Sequence, residues 1–216
     1  MKTILLTGFE PFDRETINPS WELVRRFDGL VVAGTHRVEV LCLPCVFDLA
    51  LESLWARLAQ NKAEIVLCLG QAGGRAEFCL ERVAVNINDA RIADNAGKQP
   101  IDTPVIAGGP VAYFSTLPIK AMLKALHDQG LAAAVSQSAG SFVCNHVFYG
   151  LMHYANTEPA LGRAGFIHIP YLPEQAEHHL GAPSMRMENL VSCLTTCLNL
   201  AVLQENELRY GAGEIS

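Results

Sequence analysis

Cys144 lies in the segment SFVCNHVFYGLMHYA (Ser141 to Ala155), which reads as a helix leaving a glycine-containing turn. A thiol in the first turn of a helix meets the positive end of the dipole and backbone N–H groups that have no intrahelical acceptor. Both favour the thiolate, the nucleophilic form of cysteine. Further along, His168 stands in the strand-like run GFIHIP. A Cys followed by a His is a candidate nucleophile and base, the chemistry of thiol-dependent acyl transfer. His146 is nearer in sequence, but residues i and i+2 on a helix do not face each other, and His153 is more than two turns away. In open α/β sheets, sites gather outside the carboxyl ends of strands. A helix that follows a strand starts on that rim, and His168 ends a strand there, so His168 is the partner that geometry favours. The competing reading is a structural histidine at a strand end.

Glu81 is the second unusual residue. Phe78 to Ile87 alternates like a strand, with Cys79, Glu81, Val83, Val85 and Ile87 on one face. A carboxylate among β-branched residues is costly unless it is paired or hydrogen-bonded. An imidazole N–H would suit it, fixing the histidine tautomer and favouring the imidazolium beside a thiolate. An ion pair with Arg75 or Arg91, or a hydrated strand end, is equally open.

Other motifs carry less. The loop GQAGGR (Gly70 to Arg75) permits close backbone approach to a ligand but lacks the spacing of a nucleotide-binding loop. Cys42 and Cys45 match C-x-x-C, read here as two strand-end thiols in preference to a redox pair. No second C-x-x-C completes a zinc site. Cys193 and Cys197 share a face of an apolar helix and read as core, and His178-His179 reads as solvated surface.

The elements that must position these residues alternate between strand and helix. Met1–Thr7, His36–Leu43, Ile65–Leu69, Phe78–Ile87, Ala132–Ser136 and Gly165–Ile169 read as strands. Helices are predicted from about Ser20, a candidate N-cap, and over Phe47–Gln60, Leu117–Asp128, Cys144–Ala155 and Met185–Gln204. Ala90 to Gly109 is polar and rich in Pro and Gly, hence loop. The pattern predicts an α/β fold, one domain over residues 1–216, with a mostly parallel sheet and helices on both faces. The polar tail after about residue 205 is expected to be mobile.

The 216 residues suffice for one well-buried domain; 50% are apolar and 18% charged, which excludes a disordered chain. A net charge of −6 argues against nucleic acid or an anionic membrane as partner. The apolar run in MKTILLTGFE is too short for a signal peptide, and no stretch reaches the length of a membrane span. Seven scattered cysteines suit a reduced, cytoplasmic protein with mostly buried thiols.

TGFEPF (Thr7 to Phe12), NPSWE (Asn18 to Glu22), GQAGGR, ERVAVN (Glu81 to Asn86), FVCNH (Phe142 to His146) and FIHIPY (Phe166 to Tyr171) together resemble the pyrrolidone carboxyl peptidase, or pyroglutamyl peptidase type I, family. The blocks run through most of the chain in the family's order. The resemblance implies a cysteine peptidase that removes N-terminal pyroglutamyl residues from peptides, an α/β/α sandwich, no metal or organic cofactor, a cytoplasmic location and a homotetramer. It puts the catalytic residues on Cys144, His168 and Glu81. The substrate pocket falls on Phe9, Phe12, Asn18, Gln71 and the backbone of Val143, with Arg91 near the site and in reach of the oxyanion. The chain departs from the family pattern at Asp13-Arg14, where two glycines are expected, at Ala93 for Pro and at Ser141 for Thr. Two rival readings are a nucleoside-phosphorylase-like enzyme using GQAGGR as an anion loop, and a redox or binding protein relying on Cys42 and Cys45. Neither accounts for Glu81 and His168.

Overall fold

A computed structural model describes residues 1–213. The strands are β1 (Lys2–Phe9), β2 (Val31–Val32), β3 (His36–Leu43), β4 (Ile65–Gln71), β5 (Phe78–Glu81), β6 (Val83–Val85), β7 (Ala112–Phe114), β8 (Ala133–Ser136) and β9 (Arg163–Ile169). The helices are α1 (Pro19–Val24), α2 (Leu49–Gln60), α3 (Ile119–Asp128), α4 (Val143–Thr157), α5 (Pro173–Ala176) and α6 (Met187–Leu203). Seven strands form one sheet in the order β2-β3-β1-β4-β9-β5-β8, and β6 pairs with β7 in a small second sheet. The inner strands β3, β1, β4 and β9 are mutually parallel. β5 runs antiparallel to β9 and parallel to β8, and β2 is antiparallel to β3. The fold is the expected α/β sandwich with a mostly parallel sheet.

Side chains alternate across each strand, so each face of the sheet has its own core. Ile4, Leu6, Ile65, Leu67, Leu69, Phe78, Leu80, Ile167 and Ile169 pack under α1, α3 and α6. Leu5, Val66, Cys68, Ala164 and Phe166 pack under α2 and α4. This double cover explains why β4 reads as an unbroken apolar run. The same alternation puts Gly70, His168, Cys79 and Glu81 on the face covered by α4.

Three expectations are corrected. The run Phe78 to Ile87 is two strands in different sheets. At Arg82 the chain leaves the large sheet: its N–H donates to Ser136 O while its carbonyl accepts from Ser115 N. α1 is capped by Asn18, not Ser20: the Asn18 Oδ1 accepts from Ser20 N at 3.1 Å, with Pro19 as the first helical residue. β8 runs opposite to β9, so the strand before α4 ends toward the other rim, and the segment Gln137–Phe142 brings the chain back to where α4 starts. The shared-rim reasoning that paired Cys144 with His168 therefore does not hold in the form given. The short elements β2, β7 and α5 carried no periodic signal.

The polar tail makes specific contacts up to Ala212. Glu207 accepts from the backbone N–H of Lys120 and Ala121, both at 3.1 Å, capping α3 where Pro118 supplies no side-chain cap. Tyr210 Oη donates to Lys120 O, and Arg82 reaches Ala212 O. Residues 214–216 lie outside the described residues. Among those described, no helix is long and apolar enough to cross a membrane.

Candidate active site

Cys79 of β5 lies opposite His168 of β9 in the antiparallel ladder, and Glu81 is two residues further along on the same face. That makes Glu81 and His168 diagonal neighbours, within reach of long side chains. His168 Nδ1 stands 2.7 Å from Glu81 Oε1. A carboxylate only accepts, so the ring is protonated on Nδ1, which leaves Nε2 as the basic nitrogen. Nε2 has no hydrogen-bond partner among the described residues. Glu81 is fully buried, and the same Oε1 accepts from Arg75 Nη1 at 2.7 Å. Arg75 is held in turn by Ser136 Oγ at 3.2 Å and Ser138 O at 2.8 Å. Both partners considered for Glu81, the imidazole and Arg75, are therefore present at once; Arg91 is not one of them. The second oxygen, Glu81 Oε2, is buried without a partner among the described residues.

Cys144 is the second residue of α4. Phe142 provides no side-chain cap, and the first intrahelical bond runs from His146 N to Phe142 O. The N–H groups of Val143, Cys144 and Asn145 thus have no intrahelical acceptor, an arrangement suited to a developing oxyanion. Gly70 of β4 is the register partner of His168. A Cβ added at Gly70 would come within 2.7 Å of Cys144 Sγ and 2.9 Å of the Phe166 ring. The sulfur thus fills the space a side chain at Gly70 would need, on the His168 side of the sheet.

The thiol departs from expectation. Burial, foremost, pushes the Cys144 pKa well above the ordinary thiol value, and the nearby Cys45 and Glu81 push the same way. Arg75 pulls it down, but by less. The helix terminus was expected to favour a resting thiolate; desolvation opposes it, so the surroundings favour the neutral thiol. Cys144 keeps partial solvent exposure.

Two neighbours hold the start of α4 in place. Asn145, fully buried, donates to Val85 O at 2.9 Å and Ile87 O at 3.0 Å and accepts from Val85 N at 3.0 Å, fastening the helix to β6. His146 turns elsewhere: Nδ1 meets Asn88 Oδ1 at 3.0 Å and Nε2 accepts from Asp48 N at 3.2 Å. Burial lowers the His146 pKa to about 4. His153 pairs with Tyr113 Oη.

The other predicted residues are dispersed around this centre. Phe9 is buried against Phe166, with ring centroids 6.3 Å apart, and Phe12 lies against Phe142 at 6.2 Å. Asn18 uses its Oδ1 on Ser20 N and Ser20 Oγ, and its Nδ2 on Glu10 O. Its acceptor oxygen is thereby committed to folding the loop. Gln71 ends β4, and its Oε1 accepts from Gln175 Nε2 at 3.0 Å. Val143 is buried at the head of α4. Arg91 is exposed, and the cation that bears on Cys144 is Arg75. Asp13 and Arg14 have φ of +51° and +66°, the left-handed conformation that glycine adopts freely. Ser141 Oγ donates to Asp89 O at 2.7 Å, and Ala93 is exposed.

Cys42 and Cys45 are free thiols, raised by burial to about 11 and about 12, the opposite of a reactive dithiol. Cys193 and Cys197 are core residues. His179 corrects the solvated-surface reading of His178-His179: its Nε2 meets Glu15 Oε1 at 2.5 Å, and its ring stacks on Tyr171 with centroids 4.6 Å apart. Sequence reasoning missed Asn145 and Gln175 altogether, and it saw Arg75 only as a rival partner for Glu81. All three act through partners distant in sequence, which no local pattern marks.

A family model described as pyroglutamyl peptidase matches residues 2–204. The pyrrolidone-carboxylate peptidase of Cupriavidus taiwanensis is 54% identical, with 100% of each chain covered. Pyrrolidone-carboxylate peptidase 1 of Photorhabdus laumondii is 51% identical, with 99% of each covered. Among solved structures, the pyroglutamyl peptidase I of Bacillus amyloliquefaciens matches with a TM-score of 0.93 at 43% identity, covering 97% of this chain and 99% of that one. A variant of the Pyrococcus furiosus pyrrolidone carboxyl peptidase matches with a TM-score of 0.91 at 40% identity, covering 94% and 100%. Matched almost end to end in both sequence and fold, the chain belongs to the pyroglutamyl peptidase family.

Proposed function

We propose that the protein is a cysteine exopeptidase that hydrolyses the bond after an N-terminal pyroglutamyl residue, through an acyl-enzyme on Cys144 with His168 as base and Glu81 as its orienting acid. The observation that carries this reading is the placement of the Cys144 sulfur over Gly70, the register partner of His168, with His168 Nδ1 bonded to buried Glu81.

His168 Nε2 takes the thiol proton as Cys144 Sγ attacks the carbonyl carbon, so a neutral resting thiol is compatible with the reaction. The tetrahedral oxyanion is met by unbonded N–H groups at the head of α4; one such donor is typically worth about 3 to 4 kcal/mol. His168 then protonates the leaving amine, and the C–N bond breaks. Water, deprotonated by the same nitrogen, attacks the thioester and frees pyroglutamate and the thiol. Glu81 holds the ring in the productive tautomer and offsets its transient charge.

The substrate ring is a neutral lactam with no α-amino group, so the pocket needs apolar walls and a few hydrogen bonds. Phe9 and Phe12 are the proposed walls. Gln71, Asn18 and the backbone of Val143 are the proposed polar contacts, with Arg91 at the rim. A pocket built on these bonds rejects proline, which lacks the ring carbonyl.

The same reading holds residues 1–216 to be one peptidase domain acting in the cytoplasm as a homotetramer with no cofactor. Val111 and Phe114, at the two ends of β7, are 87% and 71% exposed and support self-association through that edge. Light scattering of the purified protein checks the assembly state. The activity is tested by fluorophore release from a pyroglutamyl amide and from its prolyl counterpart, under reductant, with and without Cys144→Ala. Turnover of the pyroglutamyl substrate alone, abolished in the variant, is the expected result. Equal turnover of both substrates, or an active variant, would overturn the reading.

A further inference from the structure

The segment Ala72 to Arg75, the second half of GQAGGR, takes no part in the mechanism above, yet it ends on a residue that reaches the buried acid. Ala72 N donates to Ile169 O at 2.9 Å, and Arg75 N donates back to Ala72 O at 3.3 Å, closing a four-residue turn. Gly74, third in that turn, has φ of +91°, where side chains are strained. A Cβ at Gly73 would come within 2.3 Å of Tyr171 Oη, so the turn lies directly against the segment that follows β9. Both glycines are thus required for the turn that delivers Arg75 to Glu81.

The guanidinium is fixed by three partners. Nη1 donates to Glu81 Oε1 at 2.7 Å and to Ser136 Oγ at 3.2 Å, and Nη2 donates to Ser138 O at 2.8 Å. Ser136 is the register partner of Glu81 on β8. Glu81 is fully buried; its Oε1 also faces His168 Nδ1 at 2.7 Å, and its Oε2 has no partner among the described residues. A buried carboxylate is costly unless a cation stands beside it. Among the described residues, Arg75 is the one Lys or Arg within ion-pairing distance of Glu81. The other titratable groups around the centre are the thiols of Cys144 on α4, Cys79 on β5, Cys68 on β4 and Cys45 after β3, with exposed Glu77 just before β5. None of them carries a positive charge. His146 of α4 turns away to Asn88 and Asp48.

We propose that Arg75 is a positioning residue of the peptidase centre: it holds Glu81 as a carboxylate facing His168, and the glycine turn of GQAGGR serves to deliver it. The inference rests on the peptidase reading above. Arg75 touches no reacting atom and acts through Glu81. Without its charge, the Glu81–His168 pair binds a proton more readily. A proton on either group disables the centre. On His168 Nε2 it blocks the atom that must accept the thiol proton; on Glu81 it removes the charge that steadies the imidazolium.

The test uses the full-length protein with Arg75→Gln, Arg75→Lys, Glu81→Gln and the double variant Arg75→Gln/Glu81→Gln. kcat and kcat/KM are measured on a pyroglutamyl amide between about pH 5 and about pH 9. In Arg75→Gln the acid limb of kcat/KM moves up by about one pH unit. That is the low end of the range for a neighbouring cation, because the Arg75 side chain is 31% exposed. Arg75→Lys keeps the limb within about 0.3 unit of the parent, while kcat falls several-fold because an ammonium lacks the fork that spans Glu81 and Ser138. The double variant is no worse than Glu81→Gln alone. A purely structural Arg75 would lower kcat or stability and leave the limb in place. If Arg75→Gln does not fold, Arg75→Lys carries the test, with its lowered kcat and unmoved limb. An unmoved limb in Arg75→Gln, a moved limb or an undiminished kcat in Arg75→Lys, or additive losses in the double variant would overturn the proposal while leaving the peptidase reading intact. A parent protein that does not cleave the amide would overturn both.

Discussion

Gly70 and Cys144 occupy one position between them: the glycine leaves out the side chain, and the cysteine sulfur takes its place 2.7 Å from where a Cβ would be. Gly70→Ala therefore collides with the Cys144 sulfur, the proposed nucleophile, in a close-packed setting. We expect activity and iodoacetamide reactivity to fall at least tenfold, and stability to fall by about 1 to 3 kcal/mol, the typical range for overpacking. Urea denaturation beside the kinetic assay separates the two effects.

Glu81→Gln keeps the shape of the acid but loses its charge. The amide can still face Arg75 or His168 with its oxygen, but it no longer fixes the tautomer or offsets an imidazolium. The expected loss is roughly 10² to 10⁴ in kcat with KM little changed, by analogy with other orienting acids. Steady-state kinetics on a pyroglutamyl amide decide it; an unchanged kcat would reduce Glu81 to a structural partner of Arg75.

The pH dependence of Cys144 follows from the direction of its shift. Because burial and the Glu81 charge raise the thiol above its ordinary value, the thiolate is scarce at neutral pH. Each pH unit then raises the thiolate fraction about tenfold until the raised value is reached. Alkylation of the free enzyme should climb through pH 9 without levelling. A plateau below pH 7 would show that the helix terminus outweighs desolvation.

His146 gives stability an acid limb. Its folded value of about 4 lies below the ordinary value of 6.5, so the unfolded chain binds the proton first as pH falls. Stability is unaffected above about pH 6.5, declines between there and pH 4, and levels off below. At pH 5 the loss relative to pH 7 should be roughly 2 kcal/mol. Urea midpoints at the two pH values, compared with those of His146→Gln, would reveal whether this slope belongs to His146.

The loop after Phe12 holds two non-glycine residues in the left-handed region, Asp13 at +51° and Arg14 at +66°. Replacing Arg14 with Gly should stabilise the fold by about 0.5 to 1 kcal/mol, and Asp13→Gly by less, because Asp tolerates this conformation better. Thermal melts of the single variants measure the gain. A loss in both would mean that the side chains contribute contacts worth more than the relief of strain.

Much of this could be read from the sequence, for identifiable reasons. The strands around β4 and the helices α2, α4 and α6 announce themselves because burial imposes a period on their residues. Glu81 is conspicuous because a carboxylate breaks that period. What escaped depends on partners that periodicity cannot name. The reversal of β5 against β9 is a choice of neighbour, invisible in Phe78–Glu81 itself, and it invalidated the argument from strand ends even though Cys144 and His168 do share a face. The split at Arg82 follows from backbone bonds to Ser136 and Ser115, both far along the chain. The resting state of the thiol depends on how deeply three-dimensional packing buries it. Gln175 looks like an ordinary polar residue two places after a proline until Glu15 and Gln71 are brought to it.

The reversed strand β5 has a mechanical corollary. Glu81 and His168 stand on adjacent antiparallel strands of one sheet and are joined by a 2.7 Å hydrogen bond. The sulfur travels with a different body, the helix α4, fastened near its start by the Asn145 bonds to β6. Of the two distances in the proposed trio, one lies within the large sheet and the other spans the seam between α4 and that sheet. Under the proposed mechanism, a shift of α4 against the sheet would move the Cys144 sulfur without changing the hydrogen bond between His168 and Glu81.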